Sequence, residues 1–258
     1  MTTDHDGIEA VARAAVLAGG AELPDRYRDG DDDGDYGAHD VKAAADEAAE
    51  ARMLPLVRRA FPAHEVFAEE AGEFDGTEPY RWIIDPLDGT NNFAAGLPTF
   101  GSSVAVRREG EPLLAAVHLP ATDETYLARR NAGVRYDGER VTADSDVPIE
   151  GATVATIVGR DVPRSPDLGR RADEIREALD DTVKRVLDSW APTVHSSLFA
   201  RGRLEGLVQF HPDEEEQAVT ELLAAEAGGA TRRDGPLYVA ACDEETLAAL
   251  WAAVDGAR

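Results

Sequence analysis

The sequence predicts a layered α/β fold, in which helices and strands are mixed along a chain of 258 residues. Some segments carry apolar residues at helical spacing, and others are short β-rich runs bounded by turn residues. The order lacks the strict strand–helix alternation of a doubly wound sheet, which favours an α+β arrangement of layers. A chain of this length can bury a sizeable core, and we expect two halves, residues 1–150 and 151–258, in one compact unit.

Two predicted helices and a loop begin the N-terminal half. Residues 8–23 are alanine-rich and place apolar side chains at helical spacing. Residues 41–60 are expected to form a second helix, which ends before Pro62. The run 29–37 between them is rich in Gly and Asp and has no periodicity, so we expect a loop.

Short strands are predicted in both halves. In the N-terminal half they cover residues 65–68, 80–84, 100–107, 113–119, 126–128, 134–136 and 140–141. Pro86 is expected to end the strand at 80–84. In the C-terminal half we expect strands at 153–158, 183–187, 206–210 and 237–241, and helices at 168–179, 197–201, 214–227 and 244–254.

The charge of the chain excludes several classes of partner. The 51 acidic and 26 basic residues give a net charge of −25, which repels nucleic acid and anionic membranes. This excess is typical of a protein adapted to high salt, so we expect a halophilic, cytoplasmic protein. The sequence contains no run of 18 apolar residues, so no membrane span is predicted. The first six residues lack the basic start of a secretory signal. The single cysteine, Cys242, excludes an internal disulfide and a cysteine-based zinc site.

Two acidic clusters point to chemistry. The strand at 65–68 runs into Glu69 and Glu70, and the strand at 80–84 delivers Asp85, followed by Asp88 three residues later. Carboxylates at strand ends can converge on one point, and hard oxygen donors suit Mg²⁺. An Asp-Gly pair alone is usually a simple turn and Asp85 could be a strand-end cap, but the full run after an apolar strand favours a site.

Residues 89 and 90 extend this site toward an anion. Gly89 lets the backbone approach an anion closely, and Thr90 offers a hydroxyl at a predicted helix N-terminus. The run from Asp85 to Phe93, Asp-Pro-Leu-Asp-Gly-Thr-Asn-Asn-Phe, resembles the signature of the inositol monophosphatase superfamily. That superfamily includes archaeal fructose-1,6-bisphosphatases and 3′-phosphonucleotide phosphatases. Glu69-Glu70 and the Glu-Ala-Gly-Gly run at 226–229 resemble two further elements of the superfamily.

The resemblance covers nearly the whole chain and implies a fold, an activity and a site. The implied fold is an αβαβα sugar-phosphatase sandwich, and the implied partners are a small phosphorylated substrate and a second copy of the chain in a homodimer. It implies two or three Mg²⁺ ions held by carboxylates and by one backbone carbonyl, from Glu69, Asp85, Leu87 and Asp88. The substrate phosphate would contact Asp88, Gly89, Thr90 and Asn91.

The same resemblance implies catalytic roles. The superfamily's Asp-x-x-Thr-x-x-Asp pattern falls on residues 40–46, with Asp46 as its last acid. Asp46 would hydrogen-bond Thr90, and the pair would polarise the attacking water. Glu69 is counted with them as catalytic, and it is expected, like Asp85, to bridge ions that lie about 3.5–4 Å apart.

Three departures from the pattern fall on other residues. The threonine of the 40–46 pattern is Ala43, and its neighbour Lys42 either reaches an extra phosphate or stays in solvent. Ten residues before Glu226, where the superfamily has a Trp-Asp pair, the chain has Glu215 and Glu216. Glu216 could therefore bind both metal and substrate, although the register equally allows Asp213.

The third departure alters the side that faces the alcohol of the substrate. A Gly-Ser-Ala stretch is replaced by Trp-Ala-Pro-Thr at residues 190–193, and His195 and His211 flank this region. Either histidine is more easily explained as structural or exposed than as a substrate contact. The phosphate side of the pattern is intact, so a phosphomonoesterase is favoured over any one substrate.

The sequence therefore favours a Mg²⁺-dependent phosphomonoesterase that hydrolyses a small sugar or inositol phosphate by attack of water. A fructose-1,6-bisphosphatase and a 3′-phosphonucleotide phosphatase remain alternatives within the same class. An alternative of another class is a catalytically impaired homologue that binds metal or sugar phosphate, which the altered Glu215–Glu216 region motivates.

Overall fold

A computed structural model of the chain describes residues 5–30, 34–36 and 41–256. Its helices are α1 His5–Gly20, α2 Leu23–Asp29, α3 Ala44–Ala60, α4 Thr90–Ala94, α5 Pro166–Asp180, α6 Pro192–Ala200, α7 Glu214–Glu226 and α8 Glu244–Val254, with a 3₁₀ turn at Ile149–Gly151. Its strands are β1 Gly34–Tyr36, β2 Val41–Ala43, β3 Glu65–Ala68, β4 Gly72–Phe74, β5 Tyr80–Asp88, β6 Gly101–Arg108, β7 Glu111–Leu119, β8 Glu124–Arg129, β9 Gly133–Tyr136, β10 Glu139–Val141, β11 Thr153–Val158, β12 Arg185–Leu187, β13 Gly206–Phe210, β14 Ala230–Asp234 and β15 Leu237–Ala241.

Two sheets carry the architecture. The first has eight strands in the order β10-β9-β8-β7-β6-β5-β3-β4, and β3 and β5 are its parallel pair. The second has five strands in the order β12-β11-β13-β15-β14, in which β11 runs parallel to both β12 and β13. Hairpins with tight turns join most strands of the first sheet, and crossover helices join the parallel strands of the second.

The helices cover both sheets on both faces. In β5, Trp82 and Ile84 pack under α1 and α3, whereas Ile83 faces the opposite side. On that opposite side α6 and α7 fill the space between the two sheets, where Phe199 and Leu223 join residues from both. Helices α5 and α8 cover the outer face of the second sheet. The layers run helix, sheet, helix, sheet, helix, so the prediction of an αβαβα sandwich is confirmed.

The second predicted helix begins later than expected. Residues 41–43 form β2, which pairs antiparallel with β1, and the helix itself spans Ala44–Ala60. The prediction of a loop through residues 29–37 is therefore wrong for 34–36, which form β1. Strands of three residues show no periodicity of their own, because only the pairing with another segment defines them. Asp40 lies outside the described residues, and so do the side chains of Lys42 and Ala43.

The strand at residues 80–84 continues through Pro86 to Asp88, contrary to the prediction. On one side, β3 pairs with β5 only as far as Ile84, so the missing amide of Pro86 leaves no ladder bond unmade there. On the other side, the register with β6 shifts between Asp85 and Asp88, which is a bulge. The carbonyl of Pro86 accepts a hydrogen bond from Ser102 Oγ at 2.7 Å.

Several smaller differences concern edges and ends. The short edge strands β4 and β14 were not predicted, and the short helix predicted at 197–201 is α6, Pro192–Ala200. Strands β3, β11, β13 and β15 and helix α8 have the predicted bounds. Within the described ranges, every helix is too short or too polar to cross a lipid bilayer.

Candidate active site

The predicted site residues meet in one cavity between the two sheets. The cavity has a volume of about 100 Å³. Its walls include every residue predicted to bind metal or phosphate, namely Glu69, Asp85, Leu87, Asp88, Gly89, Thr90, Asn91 and Glu216. The end of β5, the start of α4, the end of β11 and the N-termini of α6 and α7 all contribute to it. The fold thus brings together residues up to 147 positions apart in sequence.

The bulge at the end of β5 sets the direction of its two aspartates. Asp85 and Asp88 are 5% and 6% exposed, so both carboxylates are almost removed from bulk water. Asp85 Oδ1 accepts a hydrogen bond from the amide of Leu87 at 3.1 Å, which closes the turn locally. Asp88 Oδ2 accepts from the amide of Thr193 at 2.9 Å and also from its hydroxyl. Because Thr193 is in the first turn of α6, the second half of the chain helps to orient Asp88.

Thr90 and Asp46 are in direct contact, as the resemblance implies. Thr90 Oγ1 lies 3.0 Å from Asp46 Oδ1 and 2.9 Å from the carbonyl oxygen of Leu87. A hydroxyl has one hydrogen, so it donates to one of these oxygens at a time. Asp46 is buried in the first turn of α3, behind the cavity wall. Its carboxylate can therefore hold the Thr90 hydrogen and leave a lone pair of Oγ1 directed elsewhere.

Gly89 allows the chain to turn from β5 into α4. Its φ of 84° lies in the left-handed region, and a Cβ at this position would come within 2.7 Å of the Thr99 carbonyl oxygen. Any other residue would therefore meet both backbone strain and a backbone clash. Helix α4 begins at Thr90, the position that the sequence predicts.

Burial disfavours the ionised forms of the carboxyl groups in this cavity. Burial raises the pKa of Glu69, and it raises the pKa of Asp85 well above its ordinary value, with further contributions from the Glu69 and Asp88 charges. Burial also raises the pKa of Asp88 to about 7, against the hydrogen bonds from Thr193. The pKa of Glu216 is raised well above its ordinary value for the same reason, with Asp213 adding repulsion.

One cation that the sequence analysis did not anticipate already contacts the cluster. Arg160 follows the end of β11, and its Nη1 donates to Glu69 Oε1 at 2.7 Å. Its Nε donates to Asp213 Oδ2 at 3.1 Å, and its Nη2 donates to Glu215. Burial lowers the pKa of Arg160, but the Glu215, Glu69 and Asp213 charges outweigh it, so the pKa lies above the ordinary value. The guanidinium is charged at any pH at which the protein is folded.

The acidic residues at the start of α7 cap the helix and line the cavity. Asp213 is the N-cap of the helix, and Glu216 Oε2 accepts from the Asp213 amide at 3.1 Å, which completes a capping box. Glu216 lines the cavity, whereas Asp213 is held by Arg160 outside the lining. Glu215 also lines the cavity and is 6% exposed. Of the two residues that the register left open, Glu216 is the one at the cavity.

The histidines next to this region do not contact the cavity. His195 is buried, and its Nε2 pairs with Ser189 Oγ at 2.7 Å, while burial lowers its pKa to about 4. His211 is exposed and lies edge-on to Phe210. Neither residue lines the cavity.

The donor chemistry fits a divalent cation. Glu69, Asp85 and Asp88 offer hard carboxylate oxygens in one cavity. The raised pKa values of Asp85 and Asp88 mean that a bound cation would favour their ionised forms. Within the described ranges no group of three or more acidic, histidine or cysteine side chains is arranged so that it could hold a metal ion. Arg160 contacts Glu69, and Thr193 contacts Asp88, at carboxylate oxygens that an ion could also use.

Comparison with known proteins identifies the family. The family model described as "Inositol monophosphatase family" matches residues 4–245. The chain belongs to the inositol monophosphatase family. It is 30% identical over 238 residues to the Escherichia coli K12 protein named "Nus factor SuhB", covering 87% of this chain and 84% of the relative. It is also 30% identical over 225 residues to the Aquifex aeolicus protein named "Fructose-1,6-bisphosphatase/inositol-1-monophosphatase", covering 85% and 83%.

Solved structures show the same fold. A Bartonella henselae extragenic suppressor protein suhB superimposes with a TM-score of 0.86 at 23% identity, covering 96% of this chain and 98% of that one. An inositol monophosphatase from Anabaena sp. PCC 7120 superimposes with a TM-score of 0.82 at 24% identity, covering 98% and 97%. Members of the family are phosphatases, in general metal-dependent, that act on small phosphorylated substrates. Family membership therefore makes this chain a phosphoric monoester hydrolase by class.

Proposed function

We propose that the protein is a Mg²⁺-dependent phosphomonoesterase that hydrolyses a small sugar or inositol phosphate by attack of an activated water. The observation that supports it most is the meeting of the β5 carboxylates, the Thr90–Asp46 pair and Gly89 at one cavity. These groups come from the phosphate side of the sequence pattern, which is intact.

In this proposal Glu69, Asp85 and Asp88 would hold two or three Mg²⁺ ions, together with the Leu87 carbonyl and Glu216. When bound, the ions supply positive charge that lowers the pKa of water and stabilises the phosphoryl oxygens and the leaving alkoxide. The carboxylates need such charge because burial disfavours their ionised forms. No side chain acts as a nucleophile in this scheme.

The chain's own residues would position water and phosphate. Asp46 accepts the Thr90 hydrogen, so that Thr90 Oγ1 can accept a hydrogen bond from the attacking water and orient it. Glu69 would take part in activating the same water. The left-handed turn at Gly89 brings the start of α4, with Thr90 and Asn91, to the cavity, where the phosphate would bind beside these three residues. Asp88, held by Thr193, keeps its place while the phosphate binds.

The experiment is phosphate release measured with Mg²⁺ in 2 M KCl on inositol 1-phosphate, fructose 1,6-bisphosphate and adenosine 3′-monophosphate. Asp88→Asn should lower the rate at least about 100-fold, since a neutral amide cannot replace a metal-binding carboxylate. Asp167→Asn is the matched control, because Asp167 is 91% exposed on α5, and it should leave the rate unchanged. An active Asp88→Asn enzyme would contradict the assignment of the ligands.

Arg160 supports a second candidate function, a homologue that binds metal or sugar phosphate but catalyses poorly. Its guanidinium engages Glu69, which catalysis would require for an ion. The phosphate-release assay, together with a titration of Mg²⁺ binding, separates the two candidates. Saturable Mg²⁺ binding without phosphate release from any of the three substrates would favour the second.

The quaternary and domain organisation remain predictions. We infer a homodimer from the resemblance, and light scattering should then give twice the chain mass of 27.6 kDa. We also infer that residues 1–150 and 151–258 form the two halves, which agrees with one sheet ending at Val141 and the other beginning at Thr153. Cytoplasmic location and adaptation to high salt are further inferences from the composition.

A further inference from the structure

Trp190 is an exposed aromatic residue at the rim of the candidate active site. Its surface is 46% exposed, which is unusual for a large hydrophobic side chain. It precedes α6 and lines the cavity together with Asp88 and Thr90. The protein thus presents an indole to solvent beside its predicted phosphate site.

The backbone at Trp190 is in a conformation that favours glycine. Its φ is 46°, in the left-handed region, where a bulky residue is an outlier. The tryptophan also contributes little to the hydrophobic core, since nearly half of its surface is exposed. A residue that is both strained and exposed at a binding cavity is more readily explained by what its side chain contacts there.

A second cavity adjoins the first on the other side of Trp190. It has a volume of about 190 Å³ and lies between α5 and the second sheet. Its walls are largely apolar and include Val162, Ile175, Val208 and Phe210. The two cavities share four residues, namely Thr156, Val158, Pro163 and Trp190. A ligand with its phosphate at Thr90 would reach these apolar walls only by extending past Trp190.

The charges around this second cavity disfavour another phosphate there. Among the described residues that line the two cavities, the cations are Arg160 and Arg176. Arg160 is engaged by three carboxylates, and Arg176 Nη1 is paired with Asp188 at 2.8 Å. Asp173 adds a further negative charge to the lining. A neutral group is thus a better occupant than an anion.

We propose that Trp190 and the adjoining cavity form a subsite for a planar, unsaturated ring carried by the alcohol part of the substrate. The indole face stacks on such a ring, and the apolar walls replace water around it. A saturated polyol offers no flat face to the indole. The proposal rests on the proposed function and narrows it to sugar phosphates that carry a ring of this kind.

Binding without metal tests the subsite independently of catalysis. Adenosine is the probe, myo-inositol is the comparison, and tryptophan fluorescence is the signal. A ligand in the subsite would contact Trp190, whereas Trp82 and Trp251 are buried. Adenosine should quench the emission saturably, and myo-inositol should not. Calorimetric titration of adenosine into Trp190→Gly and Trp190→Phe should show binding weakened about fivefold to 150-fold by glycine and much less by phenylalanine. Equal adenosine affinity in the wild type and Trp190→Gly overturns the proposal.

The glycine variant also separates a ligand-binding role from a structural one. Since φ at this position suits glycine, Trp190→Gly should not lower the unfolding temperature. Leu56→Ala, at a residue 38% exposed and remote from the site, is the control for loss of exposed apolar surface. An unfolding temperature clearly lower in Trp190→Gly than in Leu56→Ala would assign Trp190 a structural role and overturn the proposal.

Steady-state kinetics of the wild type and Trp190→Gly provide a second test of the subsite. For adenosine 3′-monophosphate, Trp190→Gly should raise KM at least about fivefold with little change in kcat, whereas glycerol 2-phosphate should be unaffected. Equal effects on both substrates overturn the subsite. If the wild type releases no phosphate but binds adenosine through Trp190, the proposed function fails and the subsite stands. If it releases phosphate and Trp190→Gly leaves adenosine binding unchanged, the subsite fails and the proposed function stands.

Discussion

Replacement of Arg160 by methionine should strengthen the binding of Mg²⁺. In the structure the Arg160 guanidinium contacts Glu69, Asp213 and Glu215, and it thereby occupies one oxygen that an ion would use. Methionine keeps much of the apolar length of the side chain and removes the charge. The change should free Glu69 and remove the repulsion between the guanidinium and an incoming dication.

The size of the effect follows from the distances at Glu69. Arg160 Nη1 lies 2.7 Å from Glu69 Oε1. An ion bonded to that oxygen at about 2.1 Å would lie within about 5 Å of Nη1. Coulomb's law then gives about 2 kcal/mol of repulsion in bulk water and about 7 kcal/mol at an effective dielectric constant of 20. Arg160 is 40% exposed, so screening favours the lower figure, which is roughly thirtyfold in Kd.

Calorimetric titration of MgCl₂ and unfolding temperatures with and without Mg²⁺ measure this effect. Without Mg²⁺ the variant should unfold at a lower temperature than the wild type, since three carboxylates lose their partner. With Mg²⁺ its unfolding temperature should rise more than that of the wild type. Arg164→Met, on the same loop, is the matched control, because Arg164 pairs with exposed Asp161. Mg²⁺ affinity that is unchanged or weaker in Arg160→Met refutes the reasoning.

Two further predictions concern stability. Burial lowers the pKa of His195 to about 4, below the value of about 6.5 in an unfolded chain, so the unfolded state binds its proton first as the pH falls. The wild type should therefore lose up to about 3 kcal/mol of unfolding free energy from this residue between pH 6.5 and 4. The Gln amide in His195→Gln can still pair with Ser189. Measured by urea unfolding, the free energy of unfolding of this variant should therefore fall less between pH 6.5 and 4, by that amount. An equal fall in the wild type and the variant would show that His195 is not the cause. The net charge of −25 predicts that the urea midpoint rises from 0.2 to 2 M KCl, since the screening length falls from about 7 Å to about 2 Å. A midpoint independent of salt would contradict adaptation to high salt.

Local patterns in the sequence predict most of the helices and strands. Strands β3, β11, β13 and β15 have the predicted bounds, since each is a compact β-rich run between turn residues. Helix α8 likewise spans Glu244–Val254, as its periodicity indicates. Helix α2 at Leu23–Asp29 was not predicted. The strands that were missed or misassigned, β1, β2, β4 and β14, are short and depend on pairing with a neighbour. Continuation of β5 through Pro86 also depends on its neighbours, because β3 ends beside it and leaves no bond for the missing amide.

The candidate site also has a part that can be predicted from local sequence and a part that cannot. The order Asp85, Asp88, Gly89, Thr90 is local, and its chemistry can be read from residue types alone, because carboxylates at a strand end followed by a glycine suit metal and phosphate. The remainder of the site depends on contacts over long separations. Arg160 reaches Glu69 across 91 positions, and Thr193 orients Asp88 across 105.

Residue patterns along the chain are thus enough to indicate the family, the layered fold and the acidic residues of the site. Three features became visible only in the folded chain. Arg160 contacts Glu69, Glu216 rather than Asp213 lies at the cavity, and Trp190 lines two adjoining cavities. The physical reason is that hydrophobic periodicity and turn chemistry act between near neighbours. The partner of a buried charge, by contrast, is chosen by whichever distant segment the packing of the two sheets brings beside it.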